Sequence, residues 1–311
     1  MTDQQIKEER WTLTRLSAAI NTKENCLAWL AKRRLIRNTY DCIICHQPAT
    51  LVAYAQGIDG FRWSCRGCDF RKSVRDDSFF SGSHIALEQL LQLIYCWCYD
   101  MPQFNIIHET NISCKTIIDW CNFCRDECEN YIERHGLLEI GGIDENGDPI
   151  VVEIDETKYF HRKYHRGQWR EGHWVFGGVE RLSKKCFLVE VPDRTAATLT
   201  QAITQHILPG THIVSDGWAA YANIANINNG VYSHSVVIHQ DNFVDPNDSD
   251  THTQNIENMW MRAKRKLKHQ FGTSNGLFHS YLNEFMFRTA LGHKHIFCEL
   301  LVGITESYPM H

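Results

Sequence analysis

The sequence predicts an α/β protein in which a mixed sheet flanked by helices follows a four-cysteine module and a helical unit. Two Cys-x-x-Cys pairs, a stretch with helical periodicity, and three strand-like runs followed by alternating helices and strands support this prediction. The chain is expected to divide into five segments. They are an N-terminal helical segment 1–40, the cysteine module 41–80, the helical unit 81–140, the sheet domain 147–295 and a C-terminal tail 296–311.

The composition limits the classes of protein to which the chain can belong. With 311 residues, 43% of them hydrophobic, it is long enough for more than one packed domain. The formal net charge of −5 gives no whole-chain attraction for nucleic acid, so any such site must be local. Because no apolar run has the length of a membrane span or the form of a signal peptide, we expect an intracellular protein without a membrane partner.

Thirteen cysteines in a chain without an export signal favour metal ligands and buried thiols over disulfides. Cys42 and Cys45 form one Cys-x-x-Cys pair, and Cys65 and Cys68 form a second pair after a spacer of 19 residues. Two such turns can complete the tetrahedron of a four-thiolate zinc site. We predict a zinc ribbon whose Zn²⁺ is structural and supplies folding energy; a redox pair is the alternative.

The helical unit contains three helical stretches in succession. The first, "SHIALEQLLQLIYCWCYD", is strongly amphipathic and has Ser83 placed as its N-cap. The residues "TNIS" then divide the next segment into a short helix and a longer one that Ser113 opens. A tight turn before the last of three helices predicts a helix-turn-helix unit that contacts DNA, with plain structural packing as the alternative.

Beyond residue 147 the pattern changes to strands. "IVVEIDETKYF", "HWVFGGVER" and "KKCFLVEVP" are three consecutive strand-like runs that short turns can join as hairpins. A helix "TAATLTQAITQHI", a strand "HIVSDGW", a short helix "AAYANI", a strand "HSVVIHQ" and a long helix from about residue 254 follow. The order predicts a mixed sheet with helices packed against it.

Two of these strands carry an Asp where the carboxylates can meet. Asp155 projects from the same strand face as Glu153, and Asp216 closes the strand "HIVSD". If the two strands are neighbours, the carboxylates come within bridging distance of a divalent cation, which would neutralise their repulsion. For Asp216 alone, a helix cap is the alternative.

The long helix supplies a third carboxylate. Glu257 stands at the edge of the buried stripe of this helix, and Lys264 follows seven residues later on the same face. This set suits phosphodiester chemistry, in which two cations hold the attacking and leaving oxygens and Lys264 binds a phosphate. The helix also carries a basic run that is predicted to bind DNA, namely Arg262, Lys264, Arg265, Lys266 and Lys268.

Three stretches of the chain resemble the DDE transposases of the Merlin group and their bacterial insertion-sequence relatives. They are "VEIDETKYFHRKYHRGQWREGHWVFGGVER", "VPDRTAATLTQAITQHILPGTHIVSDGWAAY" and "HTQNIENMWMRAKRKLK", within about residues 151–290. The resemblance implies a ribonuclease-H-like fold and metal-dependent cutting and joining of DNA, with Asp155, Asp216 and Glu257 holding two Mg²⁺ or Mn²⁺ ions. Some relatives carry Asn as the third ligand, which makes Asn255 the alternative to Glu257.

The segment between the first two strands is predicted to be a basic hairpin that touches DNA, with a second metal site at its histidines as the alternative. Its basic residues are Arg162, Lys163, Arg166 and Arg170.

The resemblance implies a transposase that binds double-stranded DNA at the ends of its element and at the target. We expect it to act as a homo-oligomer on DNA, in the nucleus of a eukaryotic host or the cytoplasm of a bacterial one. A domesticated DNA-binding or regulatory protein without transposition activity, and a nuclease of the same fold, are the alternatives.

Overall fold

In a computed structural model of the protein, the chain forms two compact units. The structure describes residues 1–160, 172–237, 253–269, 274–292 and 295–310. Residues 1–130 and 291–311 form the first unit, and residues 131–290 form the second. Within the described ranges, no helix combines the length and the apolar character that crossing a bilayer requires.

The described residues contain helices and strands in the following order along the chain. The helices are α1 Asp3–Lys7, α2 Leu13–Ala19, α3 Lys23–Lys32, α4 Leu87–Cys98, α5 Gln103–Thr110, α6 Cys114–Arg134, α7 Ala196–His206, α8 Gln254–His269, α9 Asn275–Leu291 and α10 Ile296–Ser307. The strands are β1 Thr50–Ala53, β2 Phe61–Ser64, β3 Arg71–Ser73, β4 Ile140–Gly141, β5 Val151–Tyr159, β6 His173–Glu180, β7 Cys186–Val191, β8 Ile207–Leu208, β9 His212–Asp216 and β10 Ser233–Val237.

The first unit combines a helical core with a small antiparallel sheet in the order β1-β2-β3. The C-terminal segment 296–311, expected to be a tail, contains helix α10, which packs against α1 and α4. All of its residues from Ile296 to Thr305 except Glu299 are buried. Burial of so much apolar surface explains why this segment is a core helix of the unit.

Of the two N-cap residues predicted for helices of the first unit, the structure confirms one. Helix α4 begins at Leu87 and receives no side-chain cap, so the prediction that Ser83 caps it is wrong. The Ser83 hydroxyl instead accepts the N–H of Ile85 in the turn before the helix. Ser113 does cap α6, because its hydroxyl accepts the N–H of Thr116 at 3.3 Å.

The second unit is built on a five-stranded mixed sheet in the order β10-β9-β5-β6-β7. Strands β5, β6 and β7 are antiparallel, whereas β9 pairs in parallel with both β5 and β10. Helix α8 packs on β5 and β6, and α7 packs on β7. The predicted mixed sheet flanked by helices, with its ribonuclease-H-like arrangement, is therefore confirmed. The expected short helix after β9 is two 3-10 turns, Ala219–Tyr221 and Ile224–Asn229.

Two adjacent glycines allow close packing on both faces of β6. A Cβ atom on Gly177 would lie 2.7 Å from the Trp260 ring, and one on Gly178 would lie 2.5 Å from the Phe187 ring. Gly177 also pairs with Asp155 across the β5–β6 ladder. The missing side chain at Gly177 thus admits the indole of α8 to the part of the sheet that carries Asp155.

Candidate functional site

The two aspartates lie on neighbouring parallel strands, as the sequence predicts. In the β5–β9 ladder, Glu153 pairs with Val214, which is the last pair of that ladder. Two residues further along each strand, Asp155 and Asp216 come to the same level. The charge of Asp216 contributes to raising the pKa of Asp155, which indicates that the two carboxyl groups interact.

Asp155 is a half-buried carboxylate that accepts two hydrogen bonds. Its Oδ1 accepts the backbone N–H of Glu156 at 2.8 Å, and its Oδ2 accepts the indole N–H of Trp260 at 3.0 Å. Burial, followed by the charge of Glu156 and then that of Asp216, raises the pKa of Asp155 to about 7. The two hydrogen bonds lower the pKa but do not outweigh these effects. A divalent cation would offset this cost, and carboxylate oxygens are the ligands that Mg²⁺ and Mn²⁺ prefer.

Asp216 is partly exposed and does not cap a helix, because the 3-10 turn Ala219–Tyr221 begins after Trp218 without a side-chain cap. Its Oδ1 accepts the backbone N–H of Trp218 at 3.0 Å, which closes the turn after β9. This contact uses one carboxylate oxygen and fixes the orientation of the group. This turn contact and metal binding are compatible at Asp216, because a carboxylate has several acceptor positions.

Glu257 lies in the first turn of α8, where its side chain is exposed. Lys264, on the same flank of the helix, donates a hydrogen bond to the Thr157 hydroxyl of β5, and its ammonium lies 5.4 Å from the centre of the Tyr159 ring. Asp155, Asp216 and Glu257 do not form a compact ligand group in the described part of the chain. Their carboxylate oxygens do not all lie within 4.8 Å of one another. The participation of Glu257 stays a prediction.

A residue that the sequence did not single out holds the start of α8. Glu153 is fully buried, and its Oε2 accepts the backbone N–H groups of Asn255 at 2.8 Å and Ile256 at 3.1 Å. Its Oε1 accepts from the Asn255 side chain at 2.7 Å and from Nε of Arg181 at 2.8 Å. Glu153 therefore caps α8 from a neighbouring strand and satisfies N–H groups that a helix start leaves free.

The same network engages Asn255, the alternative third ligand. Besides donating to Glu153, its amide accepts a hydrogen bond from Nζ of Lys184 at 2.6 Å. Both ends of the amide thus have partners that hold the first turn of α8. These contacts favour a positioning role for Asn255 and leave Glu257 as the exposed acid of that turn.

The basic residues of α8 separate into two groups. Lys266 forms an ion pair with Glu284 at 2.7 Å, and Glu284, which is 2% exposed, also pairs with Arg288. This pairing favours a structural role for Lys266 over the predicted contact with DNA. Three other members of the basic run are exposed and lie on the solvent side of the helix: Arg262, Arg265 and Lys268. The predicted hairpin residues, Arg162, Lys163, Arg166 and Arg170, lie outside the described residues.

The four predicted zinc ligands come together in the first unit. The sulfur atoms of Cys42, Cys45, Cys65 and Cys68 all lie within 4.8 Å of one another, and those of Cys45 and Cys65 are 3.6 Å apart. Burial raises the pKa of the Cys42 thiol. Hydrogen bonds from the backbone N–H groups of Cys45 and Ile44 and from neighbouring thiols outweigh burial, so that the pKa of Cys42 falls to about 7. Such a group can hold a metal ion.

A second network lies beside the acids on β5. The Tyr221 hydroxyl donates to Oε2 of Glu156 at 2.5 Å, and Arg194 lies 3.4 Å from Oε1 of the same carboxylate. Burial, followed by the charge of Glu156, raises the pKa of Tyr221, so the phenol stays a hydrogen-bond donor. The contact ties the strand of Asp155 to the turn that follows Asp216. Sequence patterns did not indicate it, since the partners are 65 residues apart.

Comparison with known proteins gives one family match. Residues 141–290 match the model of the ISXO2-like transposase domain. No curated protein matches the chain.

Several solved structures of retroviral integrases also match. The magnesium complex of the HTLV-2 integrase catalytic core, in its dimeric form, has 16% identity and a TM-score of 0.30, and the match covers 45% of this chain and 84% of that one. The BIV integrase catalytic core has 14% identity and a TM-score of 0.31, and the match covers 44% of this chain and 80% of that one. A chain of the simian T-cell lymphotropic virus intasome, solved in complex with the PP2A regulatory subunit B56 gamma, has 17% identity and a TM-score of 0.30. That match covers 49% of this chain and 51% of that one.

Replacing Glu153 should destabilise the second unit strongly. Glu153→Ala leaves Arg181 and the start of α8 without their buried acceptor, and we expect a loss of about 3–5 kcal/mol in the free energy of unfolding. Glu153→Gln keeps one acceptor oxygen but loses the charge, so its loss should be smaller, about 1–3 kcal/mol. Urea unfolding monitored by tryptophan fluorescence measures both, with the exposed Glu145→Ala as control. A Glu153→Ala variant as stable as the control would contradict this role.

Proposed function

Because residues 141–290 carry an ISXO2-like transposase domain, we propose that the protein binds the ends of a DNA element, cuts them and joins the 3′-hydroxyl to target DNA. The observation that carries this proposal is the Asp155 carboxyl group, set beside Asp216 with a raised pKa. A bound cation would offset both the repulsion between these carboxylates and the cost of burying Asp155. The family match supports DNA as the substrate class.

We propose Asp155, Asp216 and Glu257 as the ligands of Mg²⁺ or Mn²⁺. Two such ions activate the attacking oxygen and stabilise the leaving oxygen in phosphodiester chemistry. The chain contributes orientation: the indole N–H of Trp260 holds Asp155, and the N–H of Trp218 holds Asp216. Glu257 would complete the site from the first turn of α8 by turning its exposed side chain toward the sheet.

Lys264 is proposed to bind the phosphate next to the cut. Its contacts with Thr157 and Tyr159 hold the ammonium along β5, the strand of Asp155. Further binding of double-stranded DNA is assigned to the exposed Arg262, Arg265 and Lys268 and to the hairpin residues predicted from the sequence. Neutralising phosphates with such residues makes DNA binding depend on salt.

The first unit is proposed to support DNA binding and assembly. Helices α4, α5 and α6 follow one another with a tight turn at Asn111, which is consistent with the predicted helix-turn-helix unit. The four-cysteine group is proposed to hold one structural Zn²⁺, since four thiolates leave no open position for chemistry. Coordinated cutting of two ends calls for at least two active sites, so we propose a homo-oligomer on DNA.

Cutting should require both the metal ion and the acids. Purified full-length protein, a DNA fragment with the terminal sequences of its element, and Mg²⁺ or Mn²⁺ should give strand cleavage and joined products on a sequencing gel. Asp155→Asn, Asp216→Asn and Glu257→Gln should each lower the rate at least about 100-fold, because a lost metal ligand removes several kcal/mol of transition-state stabilisation. The exposed Glu145→Gln serves as a matched control.

The pattern of products separates the alternatives. Cleavage without joining would favour a nuclease of the same fold, and binding without cleavage would favour a DNA-binding or regulatory protein. Full activity of Glu257→Gln together with an inactive Asn255→Ala variant of unchanged stability would assign the third ligand to Asn255.

The zinc proposal predicts about one tightly bound Zn²⁺ per chain by elemental analysis. Cys65→Ser should lose most of the metal and lower the melting temperature, because a structural site couples metal binding to folding. Cys114→Ser, which changes an exposed cysteine outside the group, should keep both the zinc content and the melting temperature of the wild type. Less than about half an equivalent of zinc in the wild type would count against the proposal.

A further inference from the structure

An exposed indole stands beside the proposed metal ligands. Trp218 follows Asp216 by two residues, and 39% of its surface is exposed. Its backbone N–H is the group that donates to Oδ1 of Asp216 at 3.0 Å. This contact fixes the backbone of Trp218 beside the Asp216 carboxylate, close to the place where a phosphate would be cut.

A cation and a second indole lie against it. The guanidinium of Arg194 is 4.4 Å from the centre of the Trp218 ring and 4.9 Å from that of Trp174. Lys158 approaches the Trp174 ring at 5.4 Å. Arg194 also lies 3.4 Å from Glu156, while 44% of its side chain stays exposed. The cluster thus presents aromatic surface and positive charge together at the solvent boundary.

Packing alone does not account for this cluster. The ion pair with the largely buried Glu156 engages one guanidinium nitrogen of Arg194 at 3.4 Å and leaves 44% of the Arg194 side chain exposed. Trp218 lies outside the hydrophobic core, although a large apolar ring gains most from burial there. Aromatic rings combined with arginine are, in contrast, the means by which proteins bind unpaired nucleotides: the base stacks on a ring and the cation meets the backbone.

We propose that Trp218, Arg194 and Trp174 form a stacking subsite for an unpaired base of the DNA strand that enters the active site. This inference rests on the proposed function, since it takes DNA as the substrate. The ligand is an unpaired base because the faces of a base inside a duplex are covered by its neighbours. Trp218 supplies the open ring, Arg194 orients it and meets a phosphate, and Trp174 supports Arg194 from the other side.

The test compares two DNA probes of identical duplex sequence, one blunt and one with three unpaired nucleotides at the 3′ end. Affinity is measured by fluorescence anisotropy in Ca²⁺ without chelator, Mg²⁺ or Mn²⁺, so that cutting is suppressed and the proposed structural zinc is retained. Trp218→Ala should bind the extended probe about tenfold more weakly and the blunt probe within twofold of wild type, as expected for the loss of one stacked base. Trp218→Phe should keep most of the preference. Leu182→Ala, which shortens a side chain that is 95% exposed, serves as the control.

A second readout uses the wild-type protein and therefore does not depend on the stability of a variant. 2-Aminopurine placed at each unpaired position in turn should be quenched at one position by stacking, and the quenching should vanish in Trp218→Ala. Equal affinity of wild type and Trp218→Ala for both probes, with no quenched position, overturns the subsite and leaves the proposed function standing. Trp218-dependent binding without metal-dependent cutting keeps the subsite and overturns the catalytic proposal. A wild type that binds neither probe overturns both.

Discussion

The geometry of the candidate site depends on one interaction, the acceptance of α8 backbone N–H groups by the buried carboxylate of Glu153. The N-terminus of a helix carries free donors and a positive partial charge, so a carboxylate fixed on a strand is a strong anchor for it. Once the start of the helix is fixed, the following turns lie along β5. Trp260 then reaches Asp155, and Lys264 reaches Thr157.

The residue spacing along strand β5 is similar to the rise per turn of helix α8, which makes this alignment possible. Alternate residues of a strand are about 6.7 Å apart, and one turn of a helix advances about 5.4 Å, so a helix that runs along a strand can meet one strand face repeatedly. Residues 153, 155 and 157 on β5 are contacted in this way by successive turns of α8. Gly177 leaves the space that the indole of Trp260 occupies between them. The anchor, the glycine and the indole therefore act together in positioning Asp155.

The two acids on this strand face differ in what their surroundings provide. Glu153 receives backbone donors, an amide and the guanidinium of Arg181, so its negative charge is compensated within the protein. Asp155 accepts two N–H groups and lies near two other carboxylates, and its pKa is raised to about 7. This contrast supports the proposed metal-binding role of Asp155, whereas Glu153 positions the start of α8.

The sequence predicted those parts of the molecule that short patterns encode. Alternating apolar residues predicted the strands, and the two Cys-x-x-Cys pairs predicted the cysteine group. The aspartates of two strand-like runs predicted the neighbouring Asp155 and Asp216, although Asp155 lies in the middle of β5 and only Asp216 ends its strand. Contacts between distant segments were beyond such patterns: Glu153 meets Asn255 across 102 residues, and Lys266 pairs with Glu284 on another helix. The acid inside the apolar run "IVVEI" was the available signal for Glu153, because a buried carboxylate requires partners.

The most direct test of this account is the position of bound Mn²⁺, measured by anomalous X-ray scattering from crystals of the full chain grown with the ion. We expect an anomalous peak between the carboxylates of Asp155 and Asp216, with Glu257 turned toward it and the contacts of Glu153 with α8 unchanged. A peak coordinated by Glu153 or Asn255, or no peak beside Asp155 at saturating Mn²⁺, would contradict it.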